Sequence, residues 1–138
     1  MAVELANDAV DLAIVTREHD AMLAFYADIL GLPVSRVAQT SIGEIHYLRA
    51  GTSVLKLIRP PLVPAVARSP GDLTDATGLR YFTLRVSNLD EVLADCERVE
   101  APIVRAKQPL PARPGWVAMV ADPDGNPVAL VQHAQRQQ

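Results

Sequence analysis

A single cysteine among 138 residues excludes an internal disulfide and suits a reducing compartment. Cys96 falls inside an amphipathic helical pattern, where it reads as buried filler rather than a nucleophile. No block of Lys or Arg and no basic helix face occurs, and the formal charge is −3, so no nucleic-acid partner is expected. No apolar run approaches the roughly 18 residues that cross a bilayer, which argues against a membrane partner. The first residues lack a basic stretch followed by an apolar one, so no signal peptide is expected and the cytoplasm is the expected compartment. The remainder is ordinary: 49% hydrophobic and 21% charged residues match a globular chain, long enough for one domain with its own core.

The densest local signal is ADPDGNPVALVQ at residues 121–132. Pro123 fixes φ, Asp122 and Asp124 can bond nearby backbone, and Gly125 accepts positive φ. β-forming residues flank this turn on both sides, so the stretch predicts a hairpin. Its D-x-D-G spelling lacks the remainder of a calcium loop, with no Glu at the end, and both Asp read as turn residues.

In chain order, residues 10–15 alternate as a short strand, and Asp20 is placed to cap a helix of about ten residues that Gly31 and Pro33 end. Residues 34–38, 42–48 and 53–58 follow as candidate strands, with Gly43 and Gly51 at turns. Residues 59–79 hold four prolines and two glycines, including Pro70 and Gly71, and read as a connector. The pattern then returns. Residues 80–86 form a strand with Phe82, Leu84 and Val86 on one face and Tyr81, Thr83 and Arg85 on the other. Asn88 caps a helix over 89–100 with a stripe of Val92, Leu93, Cys96 and Val99, and strands begin at 103, 116 and 128. Asp11, Asp20, Leu23 and Val34 fall on Tyr81, Asp90, Leu93 and Val104 at a constant offset of about 70 residues, which points to duplication.

Phe25-Tyr26 leading into Leu30-Gly31, the repeat and the DPDG turn together resemble the vicinal oxygen chelate superfamily of glyoxalase, bleomycin-resistance and extradiol dioxygenase relatives. The resemblance covers essentially the whole chain. It implies a single α+β domain over residues 1–138, built of two β-α-β-β-β modules whose curved sheet lines a cleft. Module one would span about 8–59, a Pro-rich connector about 60–79, and module two about 80–133. A homodimer is also implied, since such two-module chains commonly pair or swap modules, and unpaired sheet edges give a physical motive.

In the metal-dependent members, the first and last strand of each module each carry one ligand. Those positions fall here on Asp11, Lys56, Tyr81 and Ala129, where His, Glu, His and Glu are usual. A divalent ion wants several converging carboxylates or neutral imidazoles. One carboxylate, one ammonium, one phenol and one methyl do not supply them, so no metal and no other cofactor is expected at that position. The histidines offer no replacement on sequence grounds: His19 reads as a surface residue before a helix and His133 as part of a polar tail. His46 pairs with Glu44 on one strand face, weighed as a solvated face rather than a ligand set.

The implied cleft floor carries Asp11, Ala13, Val15, Val54, Lys56, Ile58, Tyr81, Thr83, Arg85, Ala129 and Val131. Two readings of it stand. Asp11 and Lys56 form an ion pair where the metal would be, or Lys56, Asp11 and Tyr81 act on a ligand, with Lys56 as base or anion partner and Tyr81 as oxyanion donor. Residues 105–116 set Arg105, Lys107 and Arg113 beside Trp116, either as a rim for a planar or anionic ligand or as a surface loop with Trp116 packed in the strand layer. Tyr47 is equally open. Two function classes follow: a metal-independent small-molecule-binding protein that sequesters a natural product, or a metal-free lyase, isomerase or cyclase using Asp11, Lys56 or Tyr81. The first leads, because no acid–base dyad with a supporting partner is visible in the sequence.

Overall fold

A computed structural model describes residues 2–67 and 72–134. Pro70 and Gly71 of the expected connector lie outside the described residues. The chain divides into two compact units, Met1–Ala67 and Arg68–Gln138.

In the first unit, β1 (Leu12–Val15) leads into α1 (His19–Leu23), which continues without a break as a π-helical segment over Ala24–Ile29. β2 (Val34–Thr40), β3 (Gly43–Ala50) and β4 (Ser53–Arg59) complete a sheet of order β1-β4-β3-β2. β1 runs parallel to β4, and the other neighbours are antiparallel. The second unit repeats the plan: β5 (Phe82–Arg85), α2 (Leu89–Arg98), β6 (Ile103–Pro109), β7 (Gly115–Ala121) and β8 (Pro127–His133), ordered β5-β8-β7-β6. β1 and β5, and α1 and α2, start 70 residues apart, as the repeat predicts. The expected β-α-β-β-β modules are present, each sheet carrying one parallel pair.

Alternation along the strands sets each core. Leu55 and Leu57 of β4, with Leu48 of β3, are buried under Met22, Phe25 and Tyr26 of the helix. Phe25 and Tyr26 are sequence neighbours, yet both are buried, and their rings meet edge-on at 5.0 Å. A regular α-turn would swing consecutive side chains about 100° apart. The wider π-turn, with Leu30 N–H donating to the Phe25 carbonyl at 2.9 Å, lets both aromatics face the sheet. In the second unit Leu89, Cys96, Val120, Val128 and Leu130 form the equivalent core.

Several local expectations shift. Helix α1 starts two residues earlier than an Asp20 cap requires: Glu18 is its N-cap, and Asp20 lies in the first turn. The Thr16 hydroxyl accepts the Glu18 N–H at 2.9 Å. Asn88 is the N-cap of α2, but the Leu89 N–H donates to Gln132 Oε1 at 2.8 Å instead of to a cap side chain. Residues 105–109 belong to β6 rather than to a loop, which shortens the irregular segment to 110–114. At Gly43, φ is 123° and a Cβ would lie 2.1 Å from the Arg59 carbonyl oxygen, so only glycine starts β3 there.

The predicted hairpin is β7–β8, and its turn is organised by Asp122, which is buried. Asp122 Oδ1 accepts the backbone N–H groups of Asp124 at 3.0 Å and Asn126 at 2.9 Å, and the Asn126 amide donates to Oδ2 at 2.9 Å. Removing this buried carboxylate leaves each of its donors without an acceptor. Asp122→Ala is therefore expected to cost about 3 kcal/mol in denaturant unfolding, while Asp124→Ala changes stability by less than about 0.5 kcal/mol. Equal losses from the two substitutions would refute this account of the turn.

Candidate functional site

Because Leu55 and Leu57 are locked under the helix, Lys56 between them must point to the opposite face of the sheet. It lies in register with Ala13 on β1 and Tyr47 on β3. Tyr47 in turn pairs with Arg36 of β2. The Arg36 guanidinium sits 4.4 Å and the Lys56 Nζ 5.8 Å from the centre of the Tyr47 ring. Two cations thus lie beside one aromatic ring, one from each neighbouring strand, and Ile58 and Val54 flank Lys56 along the same strand face. Tyr47, undecided from sequence, is the centre of this patch.

Asp11 does not pair with Lys56. Its Oδ1 accepts the Val54 backbone N–H at 3.1 Å, and among the described residues no ion pair links the two. The expected pair fails because Asp11 precedes β1 and caps the start of β4 instead.

In the second unit Thr83, Arg85, Ala129 and Val131 share the face away from α2, with Thr83 opposite Ala129 and Arg85 opposite Val131. The Arg85 Nε–H donates to His133 Nε2 at 3.3 Å, which leaves the proton of a neutral His133 on Nδ1. Tyr81 precedes β5 and is 53% exposed. Trp116 belongs to the other face: it pairs with Gln132, whose side chain meets the start of α2. Lys107 Nζ lies 4.9 Å from the Trp116 ring centre and 2.8 Å from Asp90 of α2. Trp116 is therefore separated from Arg85 and Thr83 by the sheet itself.

The four positions that the resemblance marks as metal ligands divide between the two units. In the first, the carboxylate is occupied by a backbone N–H and its companion is an ammonium held beside a tyrosine ring. In the second, a largely exposed phenol and a buried methyl stand in the ligand places. This donor set does not fit a divalent ion.

A cluster the sequence reading did not assemble lies on the helix side of the first sheet. His19, expected at the surface, is only 6% exposed, and its Nε2 lies 3.1 Å from His46 Nδ1. Glu44 Oε1 approaches His46 Nδ1 at 3.6 Å and His19 Nε2 at 4.0 Å. His46 and Glu44 are therefore partly buried under the helix start rather than on a solvated face. The missed signal was helical spacing: His19, Met22 and Tyr26 follow i, i+3, i+7, and the last two are fully buried. Burial holds the His19 imidazole below its ordinary value, and His46 and the Arg59 guanidinium push the same way, against Glu44 and Asp20.

A family model described as Glyoxalase/Bleomycin resistance protein/Dioxygenase superfamily matches residues 9–130. No curated protein matches the sequence at significance. Among solved structures, a glyoxalase family protein from Bacillus cereus superposes with a TM-score of 0.77 at 17% identity, covering 98% of this chain and 100% of that one. The trypanothione-dependent glyoxalase I of Leishmania major gives 0.68 at 23% identity, with 88% and 84% covered. The antibiotic binding protein TnmS3 from Streptomyces sp. CB03234 gives 0.67 at 21% identity, with 95% and 100% covered.

Two measurements follow from this geometry. Lys56→Met should change stability by less than about 0.5 kcal/mol, because its ammonium lies 5.8 Å from the ring centre, at the outer limit of a cation–ring contact, and Asp11→Ala should cost about 1 kcal/mol for the Val54 N–H. A double-mutant cycle of the two should show no coupling; a coupling above about 1 kcal/mol would restore the ion pair. For His19, the unfolded chain takes up a proton first as pH falls through about 6.5. Its contribution is complete above that pH and is lost as pH drops toward the depressed folded value. Melting curves of His19→Gln should therefore fall less steeply between pH 7 and 5, roughly the window of this titration, than those of the parent; an unchanged slope would contradict the burial argument.

Proposed function

This chain belongs to the Glyoxalase/Bleomycin resistance protein/Dioxygenase superfamily, and on that footing we propose that it binds a small molecule without a metal at the family's ligand position. The observation that carries this reading is Lys56, an ammonium in a carboxylate's place, sharing the Tyr47 ring with Arg36. A ring flanked by two cations suits a planar ligand bearing a carboxylate or an acidic phenol: the ligand's π-face stacks, and its charge meets Lys56 or Arg36. Sequestration of such a natural product is the proposed role. It accords with TnmS3 being an antibiotic binding protein.

Within the first unit, Val54 and Ile58 are the proposed apolar lining beside Lys56. Within the second unit, Arg85, Thr83 and Ala129 on one face, with Tyr81 just before it, are proposed as that unit's own small-molecule contacts. Trp116 and His46, on the helix sides of their sheets, are left out of the ligand contacts. Acid–base catalysis is the weaker alternative. Lys56, Asp11 and Tyr81 share no hydrogen bond with one another among the described residues, so no base is oriented by a partner. We further propose a cytoplasmic homodimer. Edge strands β1, β2, β5 and β6 offer unpaired backbone, and β2 exposes Val34 and Val37. No helix among the described residues is long and apolar enough to cross a membrane.

The reading is tested by titrating tag-free protein with a panel of planar aromatic carboxylates in EDTA. Binding is expected to survive the chelator and to weaken at least about tenfold in Lys56→Met, a loss of about 1.4 kcal/mol, with the melting temperature unchanged. Binding that appears only after a divalent ion is added, or that is indifferent to Lys56, would overturn it. Sedimentation at micromolar concentration should show a dimer; a monomer there would remove the oligomeric part of the proposal.

A further inference from the structure

The cluster of His19, His46 and Glu44 has the composition and spacing of a metal site, and it lies away from the family's ligand position. We propose that these three side chains bind a divalent transition-metal ion of the zinc, cobalt or nickel class. The inference is independent of the ligand-binding reading, because the cluster faces α1 while Lys56 and Tyr47 face the other way.

The three groups are not simply bonded to one another. The two imidazoles are within hydrogen-bond distance at 3.1 Å, but Glu44 Oε1 stands 3.6 and 4.0 Å from their nitrogens. Those distances are too long for a carboxylate accepting from either ring. The donors surround a gap. A tetrahedral ion with bonds of about 2.0–2.1 Å spaces its ligands about 3.3 Å apart, and the three separations bracket that value. Closing the site requires Glu44 to swing inward by roughly half an ångström, toward that ligand spacing.

The surroundings favour the same reading. Gln39 Nε2 donates to Glu44 Oε2 at 3.0 Å, which orients the carboxylate and leaves Oε1 toward the histidines. Nδ1 of His19 is buried without a partner, so the ring acts through Nε2 alone. Two imidazoles and one carboxylate match the ligand preferences of zinc and its neighbours better than those of calcium or magnesium. Three protein donors leave a fourth position for water, and Glu44 and His46 are only partly buried, so an ion can enter. Once bound, the ion would tie the start of α1 to β3 and stabilise the fold by mass action.

Tag-free protein stripped with chelator and dialysed should take up one zinc ion per chain, with a melting temperature that rises with zinc concentration. Cobalt should give visible d–d bands of four-coordinate intensity. His46→Gln and Glu44→Gln should each lose the cobalt bands and the zinc-dependent rise, while melting cooperatively without metal, which separates lost ligation from lost folding. Should one of them fail to fold, the other carries the test. Asp11→Asn and His133→Asn should keep both signals. No zinc-dependent rise and no cobalt bands in the parent protein would overturn the proposal. So would signals that persist in both cluster variants, or that vanish in Asp11→Asn, which would place the ion elsewhere.

Discussion

The period of a β-strand is the constraint on which this protein's chemistry rests. In β4, two leucines lock onto the helix, and the residue between them has no choice of side. That single fact delivers Lys56 to the face away from the helix, at the position where the resemblance implies an acid. The same period on β3 sends Tyr47 with it and His46 to the helix. Two faces of one sheet therefore hold two different kinds of chemistry, a cationic aromatic patch and an imidazole–carboxylate cluster, and the core leucines keep them apart.

Most of the fold was legible because its signals are local. Alternation marked the strands, turn residues marked the hairpin at Asp122, and a constant offset marked the duplication. Facing residues such as Leu55, Lys56 and Leu57 were assigned correctly for the same reason. What stayed hidden depended on partners far along the chain. Asp11 lies two residues before Ala13, the register partner of Lys56, but a backbone N–H at Val54 claims it, and no side-chain pattern announces a free N–H. The cations and prolines of residues 105–116 suggested a loop, whereas pairing with β7 draws the first part of that stretch into β6.

His19 illustrates a different failure. Being polar and just before a helix, it suggested a surface residue. Its spacing from Met22 and Tyr26 carried the opposite message, and burial followed the spacing. Buried imidazoles need partners, and β3 supplies one in His46 and a carboxylate beyond it. Loss of the familiar ligands at one position thus says nothing about metal affinity on the far side of the sheet.

The parallel pairing of each unit's first strand with its last has a consequence for the order of assembly. β2, β3 and β4 are joined by short turns and can zip as they leave the ribosome, but β1 must wait for a partner 43 residues downstream, Leu12 opposite Leu55. In the second unit Phe82 waits for Val128, and β8 is an interior strand that also holds β7. Until residues 127–133 are made, β5 has no neighbour and β7 has one exposed edge. The first unit can close its sheet while the second is still being synthesised, so nascent chains pass through a stage in which one half is complete and the other presents open strand edges to chaperones or to other chains.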